Sequence, residues 1–205
     1  TVEYLTLGAL ARRALSTGVQ RMIEGPGHIP INQIGYNVRT IKELTDHAPL
    51  YLLGPIVTDI APGYDHVVSA IGSAVACMHG ADFLCMVSPS EHLALPLEHD
   101  IVEGTRVCCI AAHIGDMVRE KEGYLAPREA QMAEARRRLD WEEQFRIALY
   151  GDVARTMHAR DGALETCSMC GDLCAMKLVR DIFDHEKARS EKRREDGSGD
   201  PISRS

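Results

Sequence analysis

The chain has 205 residues, 45% of them hydrophobic, with a formal net charge of −7. That is enough for one ordinary domain with a real core and a small appendage, and it gives no electrostatic case for nucleic acid. No apolar run approaches the ~20 residues that span a bilayer.

In chain order, TVEYLTLGALARRAL lacks the basic start and cleavage site of a signal peptide and lacks an initiator Met, which fits a processed product or a fragment. Leu5, Leu7, Leu10, Ala11, Ala14 and Leu15 predict a helix over 3–17 that ends at Gly18. VQRMIE (19–24), bounded by Gly-Pro-Gly, reads as a buried strand. Ile34, Val38, Ile41 and Leu44 predict a helix over 31–46, and LYLLG (50–54) a second strand. After the loop PIVTDIAPGYD comes a helix of small apolar residues (66–79), then a third strand, ADFLCMVS (81–88). The loop PSEHLALPLEHD leads into a helix over 99–121. Beyond it, one charged helix is expected over 127–149, and a short helix over 153–160 with Asp152 as its cap. A cysteine cluster and a helix through Phe183 follow, and from His185 the Gly/Ser-rich, charged sequence predicts a disordered tail.

Short, apolar, non-alternating strands separated by helices predict an α/β fold with parallel strands covered on both faces. The strand ends open into long loops rich in Gly, Pro, His and acids, where a (β/α)8 barrel keeps its chemistry. About three of the eight strands of a closed barrel are visible, so the chain reads as the later part of one. An open doubly wound sheet is the alternative. The predicted division is a barrel portion over 1–125, a helical cysteine-bearing segment over 126–184 and a tail over 185–205.

Four stretches can carry chemistry. In EGPGH (24–28), a tight turn after a strand lifts His28, with Glu24 available to a polar substrate. In SPSEHLALP (88–96), His92 follows another strand. Histidines on successive strand-end loops can share a metal ion that keeps an open position. The loop TDIAPGYDH (58–66) crowds Asp59, Tyr64 and Asp65, as an acid-lined binding loop or a well-capped turn. His66, His79 and His113 fall within helices and read as packing or surface residues.

The fourth stretch is TCSMCGDLCAMK (166–177), with Cys167, Cys170 and Cys174 spaced C-x2-C-x3-C. Zinc completed by His158 or His185 is one reading. The other is a 4Fe–4S cluster held by three thiolates, where four are usual. The open iron would then chelate S-adenosylmethionine and deliver the electron that yields a 5′-deoxyadenosyl radical. Cys77, Cys85, Cys108 and Cys109 lie in apolar periodic segments and are expected in the core. An uneven, odd set of seven cysteines is not a disulfide framework, which points to a reducing, cytoplasmic compartment.

MIEGPGH, LGPIVTDIAPGYDH, SPSEHLALP, RRLDWEEQF and CSMCGDLCAMK together resemble the phosphomethylpyrimidine synthase (ThiC) family of the radical S-adenosylmethionine superfamily, in the family's order over residues 4–183. The resemblance implies a C-terminal portion: the later part of a (β/α)8 barrel followed by a helical iron–sulfur segment. It implies substrate contacts at Glu24 and Tyr51, zinc or another divalent metal at His28 and His92, and a 4Fe–4S cluster on Cys167, Cys170 and Cys174. The implied reaction converts 5-aminoimidazole ribotide, with S-adenosylmethionine, to 4-amino-5-hydroxymethyl-2-methylpyrimidine phosphate in thiamine biosynthesis, releasing carbon monoxide and formate. The implied enzyme is a homodimer in which one chain's cluster segment reaches the other's barrel, with a reductant protein as electron donor. Two features depart from the common pattern: the short spacing before Cys174, and Met86 and Ala94 where Tyr and Gly are common. The paralogous 5-hydroxybenzimidazole synthases, which use the same substrate for a cobamide lower ligand, are therefore an alternative. A non-catalytic domain with a zinc-stabilised appendage over 150–184 and an inactive truncated relative are the others.

Overall fold

In a computed structural model, residues 2–119, 126–162 and 165–195 are described. The chain divides into two compact units, residues 1–125 and 126–205.

The first unit alternates helices and strands: α1 (Val2–Ser16), β1 (Ile23–Glu24), α2 (Ile31–Leu44), β2 (Leu50–Leu53), α3 (Asp65–Met78), β3 (Phe83–Cys85) and α4 (Glu98–Arg119). The three strands pair in parallel in the order β1-β2-β3. Gly18 closes α1 with φ 77°, a value that suits glycine. The predicted helices appear within a few residues of their expected ends; residues 120 and 121 of the expected 99–121 helix lie outside the described residues.

The strands are shorter than predicted, because a ladder extends only as far as its partner. Ile23 pairs with Leu50 at the start of β2, so the predicted strand residues 19–22 have no partner. Arg21 instead donates to the carbonyl oxygens of Thr45 and Asp46 at 3.0 and 3.4 Å. β3 pairs along Tyr51–Leu53 and stops where β2 meets Gly54 and Pro55, which has no N–H to give.

Coverage on both faces is not what the structure has. Alternation along the strands sends Ile23, Leu50 and Leu52 into the core with Ile34, Val38 and Ile41 of α2. Glu24, Tyr51 and Phe83 share the opposite face through their register, where Glu24 is exposed, Tyr51 half-buried and Phe83 53% exposed. The helices therefore bury one face and leave the other open. Small residues let the helices close on one another. A Cβ at Gly72 in α3 would lie 1.9 Å from the Pro55 carbonyl oxygen, and one at Gly115 in α4 would lie 2.2 Å from the Cys77 Cβ. Of the four cysteines expected in the core, Cys77 is buried and Cys108 half-buried; burial pushes both thiols up to about 11. Cys109 is exposed, and Cys85 lies half-buried on β3, away from the core cluster.

The second unit is helical: α5 (Ala126–Arg137), α6 (Trp141–Ile147), α7 (Gly151–His158) and α8 (Ala175–Glu195), with short 3-10 turns at Ala159–Asp161 and Gly171–Leu173. The single helix expected over 127–149 is broken. Leu139 takes φ 57°, and the Asp140 carboxylate caps α6 by accepting from the Glu143 N–H at 3.1 Å. Asp152 is not a cap: Tyr150 holds that position, and Asp152 places its charge in the first turn of α7. Where a disordered tail is expected from His185, α8 continues to Glu195 through a run of good helix formers; residues 196–205 lie outside the described residues.

Candidate functional site

Because β1, β2 and β3 are parallel, the segments that follow them emerge at one end of the sheet. After Glu24, Gly25-Pro26-Gly27 carries the chain to His28, which forms a lone parallel bridge with Ile56 beyond β2, supported by Ile56 N–H donating to the Gly27 carbonyl at 2.7 Å. After β3, Ser88–Ala94 folds into a turn in which Ala94 N–H donates to the Ser90 carbonyl at 3.0 Å. This turn holds His92 at φ 61°, a left-handed conformation uncommon for a residue with a side chain. The His28 and His92 ring centroids stand 5.6 Å apart with planes at 55°.

A third residue completes this arrangement. Asp65 opens α3 with its side chain 8% exposed, and its Oδ2 lies 3.0 Å from His92 Nδ1. That bond raises the His92 pKa above its ordinary value. With Nδ1 turned to Asp65, Nε2 is the nitrogen left for another partner. A zinc ion held tetrahedrally at ~2.0–2.1 Å by one nitrogen of each ring would set the centroids roughly 5 Å apart, so the pair has the spacing to share an ion. The remaining positions would fall to water or substrate: among the described residues, no three His, Cys, Asp or Glu side chains are grouped to hold an ion. Asp59 and Tyr64, from the same loop as Asp65, are exposed. His66 is buried, His79 sits 2.9 Å from an Arg39 guanidinium nitrogen, and His113 is half-buried in α4.

On the open face, Glu24 and Tyr51 are register partners. The Cys85 thiol beside the Tyr51 phenol, then burial and the nearby Cys85 and Glu24 charges, push the Tyr51 pKa up to about 12. Tyr51 therefore stays a protonated donor through the physiological range, beside a carboxylate acceptor. Such a pair can grip a polar ligand from two sides.

In the second unit, Cys167, Cys170 and Cys174 line one cavity of about 470 Å³ together with Trp141, Phe145, His158 and Met176. The loop that carries them winds on itself: Thr166 Oγ1 donates to the Gly171 carbonyl at 3.0 Å, and Gly171 N–H to the Cys167 carbonyl at 3.1 Å. Gly171 has φ 51°, which admits this tight turn. The backbone N–H of Cys170, with smaller help from the Cys170 thiol and the Met169 N–H, lowers the Cys167 pKa. Hydrogen bonding to Cys167 raises that of Cys170. Of the two histidines that could complete a zinc site, His158 lines the cavity with its ring stacked on Trp141, centroids 4.0 Å apart, while His185 is exposed on α8. The thiols and His158 share the cavity without converging as ligands of a single ion.

The profile of the Radical SAM ThiC family matches residues 1–181. The chain belongs to this family. It is 55% identical over 192 residues to phosphomethylpyrimidine synthase 2 of Methanosarcina barkeri, covering 93% of this chain and 44% of that protein. It is 55% identical over 188 residues to phosphomethylpyrimidine synthase 1 of Methanosarcina mazei, covering 91% and 44%. Against the phosphomethylpyrimidine synthase of Archaeoglobus fulgidus it is 51% identical over 186 residues, covering 90% and 44%. The chain thus spans less than half the length of these relatives, and their names do not favour the benzimidazole alternative. Among the described residues, no helix is long and apolar enough to cross a membrane.

The role of Asp65 escapes a reading of spacing, since its partner lies 27 positions away. What the sequence offers is a carboxylate at a helix start in a strand-end loop, one of several candidates there.

Proposed function

We propose that this chain is the C-terminal portion of a phosphomethylpyrimidine synthase. On this reading it is a radical S-adenosylmethionine lyase that rearranges 5-aminoimidazole ribotide to 4-amino-5-hydroxymethyl-2-methylpyrimidine phosphate in thiamine biosynthesis. One observation carries the reading: three thiols, and no fourth cysteine, line a single cavity. Three thiolates are the number that a cluster with one iron left to a small molecule would take from the protein, where a complete protein-held cluster takes four. The N–H groups that favour a thiolate at Cys167 suit it as well. When bound, the cluster with S-adenosylmethionine would supply the electron transfer that generates a 5′-deoxyadenosyl radical.

The chain's own residues do the rest. Cys167, Cys170 and Cys174 hold the cluster and leave one iron open. His28 and His92 hold zinc or another divalent metal, with Asp65 fixing the His92 tautomer so that Nε2 is the donor. Glu24 accepts from, and Tyr51 donates to, the polar groups of the ribotide. The sheet supports this placement: sequential parallel strands with helices burying one face are what a barrel segment has, its open face being the barrel interior. A doubly wound sheet covers both faces. The enzyme on this reading is a cytoplasmic homodimer served by a separate reductant protein, a setting that suits seven free thiols.

The test is anaerobic reconstitution with iron and sulfide, followed by an assay for 5′-deoxyadenosine with S-adenosylmethionine and 5-aminoimidazole ribotide, in a chain of the relatives' full length. A brown protein with substrate-dependent cleavage is expected. A colourless protein that holds only zinc would refute the reading in favour of a zinc-stabilised domain.

A further inference from the structure

Resting on the assignment of Cys167, Cys170 and Cys174 to a cluster, we propose that Trp141 is a positioning residue that sets the cysteine loop before iron arrives. The loop begins at Glu165, and three bonds tie it there. The Trp141 indole N–H donates to the Glu165 carbonyl at 2.8 Å, while the Glu165 carboxylate pairs with Arg180 at 2.8 Å and Lys177 at 3.6 Å. At its far end the loop runs directly into α8, where Leu178 N–H donates to the Cys174 carbonyl at 3.0 Å. Both the far end and the Glu165 side chain are therefore anchored to α8. The indole bond ties the loop to α6, and so to helices that form another part of the cavity wall.

Trp141 is itself fixed from several directions. Asp140 caps α6 immediately before it. Its ring stacks on His158 of α7 and lies 6.2 Å from the Phe145 ring, over which the Arg155 guanidinium sits at 4.8 Å. Trp141, Phe145 and His158 line the same cavity as the three thiols. One side chain thus combines a wall of the cavity with a bond to the backbone two residues before Cys167. Three thiolates grip a cluster well only if their loop is held in register, and an open iron offers no fourth protein ligand to compensate for a loose one.

The experiment compares wild type with Trp141→Phe, which keeps an aromatic wall and loses the donor, and Trp141→Ala, which loses both. Each protein is purified at full length and reconstituted with iron and sulfide. Iron and sulfide content, the rate of iron loss to a chelator, the electron paramagnetic resonance of the reduced cluster and the melting of the metal-free protein are measured. Trp141→Phe should lose iron about fivefold faster, the worth of one net hydrogen bond, with an altered resonance and unchanged melting of the metal-free protein. Trp141→Ala should lose it faster still. If the alanine variant does not fold, the phenylalanine variant decides. Wild-type retention and resonance in Trp141→Phe would overturn the inference while leaving the cluster assignment intact. Equal losses of iron retention and metal-free melting would also overturn it, as a purely structural role. A wild-type protein that takes up no iron and sulfide would overturn the cluster assignment and this inference with it.

Discussion

Replacing Asp65 tests whether the strand-end histidines form a built metal site. The carboxylate is almost wholly buried, and it meets an exposed imidazole that sits in a left-handed backbone conformation. Asp65→Ala removes the acceptor and frees the His92 ring to turn. Asp65→Asn keeps the shape, but its amide can face Nδ1 with a donor and so favour the tautomer whose Nε2 carries the proton and cannot ligate. Partners of this kind are worth about 10–100-fold in metal affinity, and each variant should weaken zinc binding within that range at pH 8. The pH dependence has a definite sign. Asp65 raises the His92 pKa, so in wild type a proton competes with the metal at higher pH than in the alanine variant. The ratio of mutant to wild-type dissociation constants should therefore shrink between pH 8 and pH 6. The assay is competition with a chromophoric chelator on metal-stripped protein, with His28→Ala as the reference for a lost ligand and cluster iron counted separately. Unchanged zinc affinity in both Asp65 variants at pH 8 would refute the assigned role. A ratio that grows toward pH 6 would refute the protonation argument.

Replacing any one of Cys167, Cys170 and Cys174 by Ala should reduce cluster iron to background and abolish 5′-deoxyadenosine formation; wild-type iron content in any of the three variants contradicts the ligand set. His28→Ala and His92→Ala should each lose the divalent metal while keeping cluster iron, as counted by metal analysis of the two sites. For Tyr51, ultraviolet titration of wild type against Tyr51→Phe should show no extra ionising tyrosine until near pH 12, and Cys85→Ala should bring that step down toward about 10. Gly72→Ala should destabilise the protein by about 1–3 kcal/mol in urea unfolding, because the new methyl meets the Pro55 carbonyl and forces α3 away from the end of β2; an unchanged midpoint would show that the contact yields freely.

The sequence alone determined what depends on neighbours along the chain. Helical periodicity located α1 and α2, and of the set Ile34, Val38, Ile41 and Leu44 that spacing picked out, the first three are buried and Leu44 half-buried. The tight spacing of Cys167, Cys170 and Cys174 brought them to one cavity because a ten-residue loop has little room to separate them. The signal that breaks the helix at Asp140 was also present, as an acid three residues before Glu143, but the charged helix formers around it hid the stop. What only the tertiary structure decided depends on partners far away in sequence. Strand ends follow from pairing, so the apolar runs at 19–24 and 81–88 shrank to the residues opposite β2. Burial on one face rather than two follows from which helices cross over where, so Tyr51 and Cys85 met on the open face, where an apolar run had predicted core. The meeting of His28, Asp65 and His92 depends on three segments leaving the same end of one parallel sheet. Residues dozens of positions apart carry no spacing that announces it; only the fold of the chain between them brings Asp65 within hydrogen-bond distance of His92 and sets the two imidazole rings 5.6 Å apart.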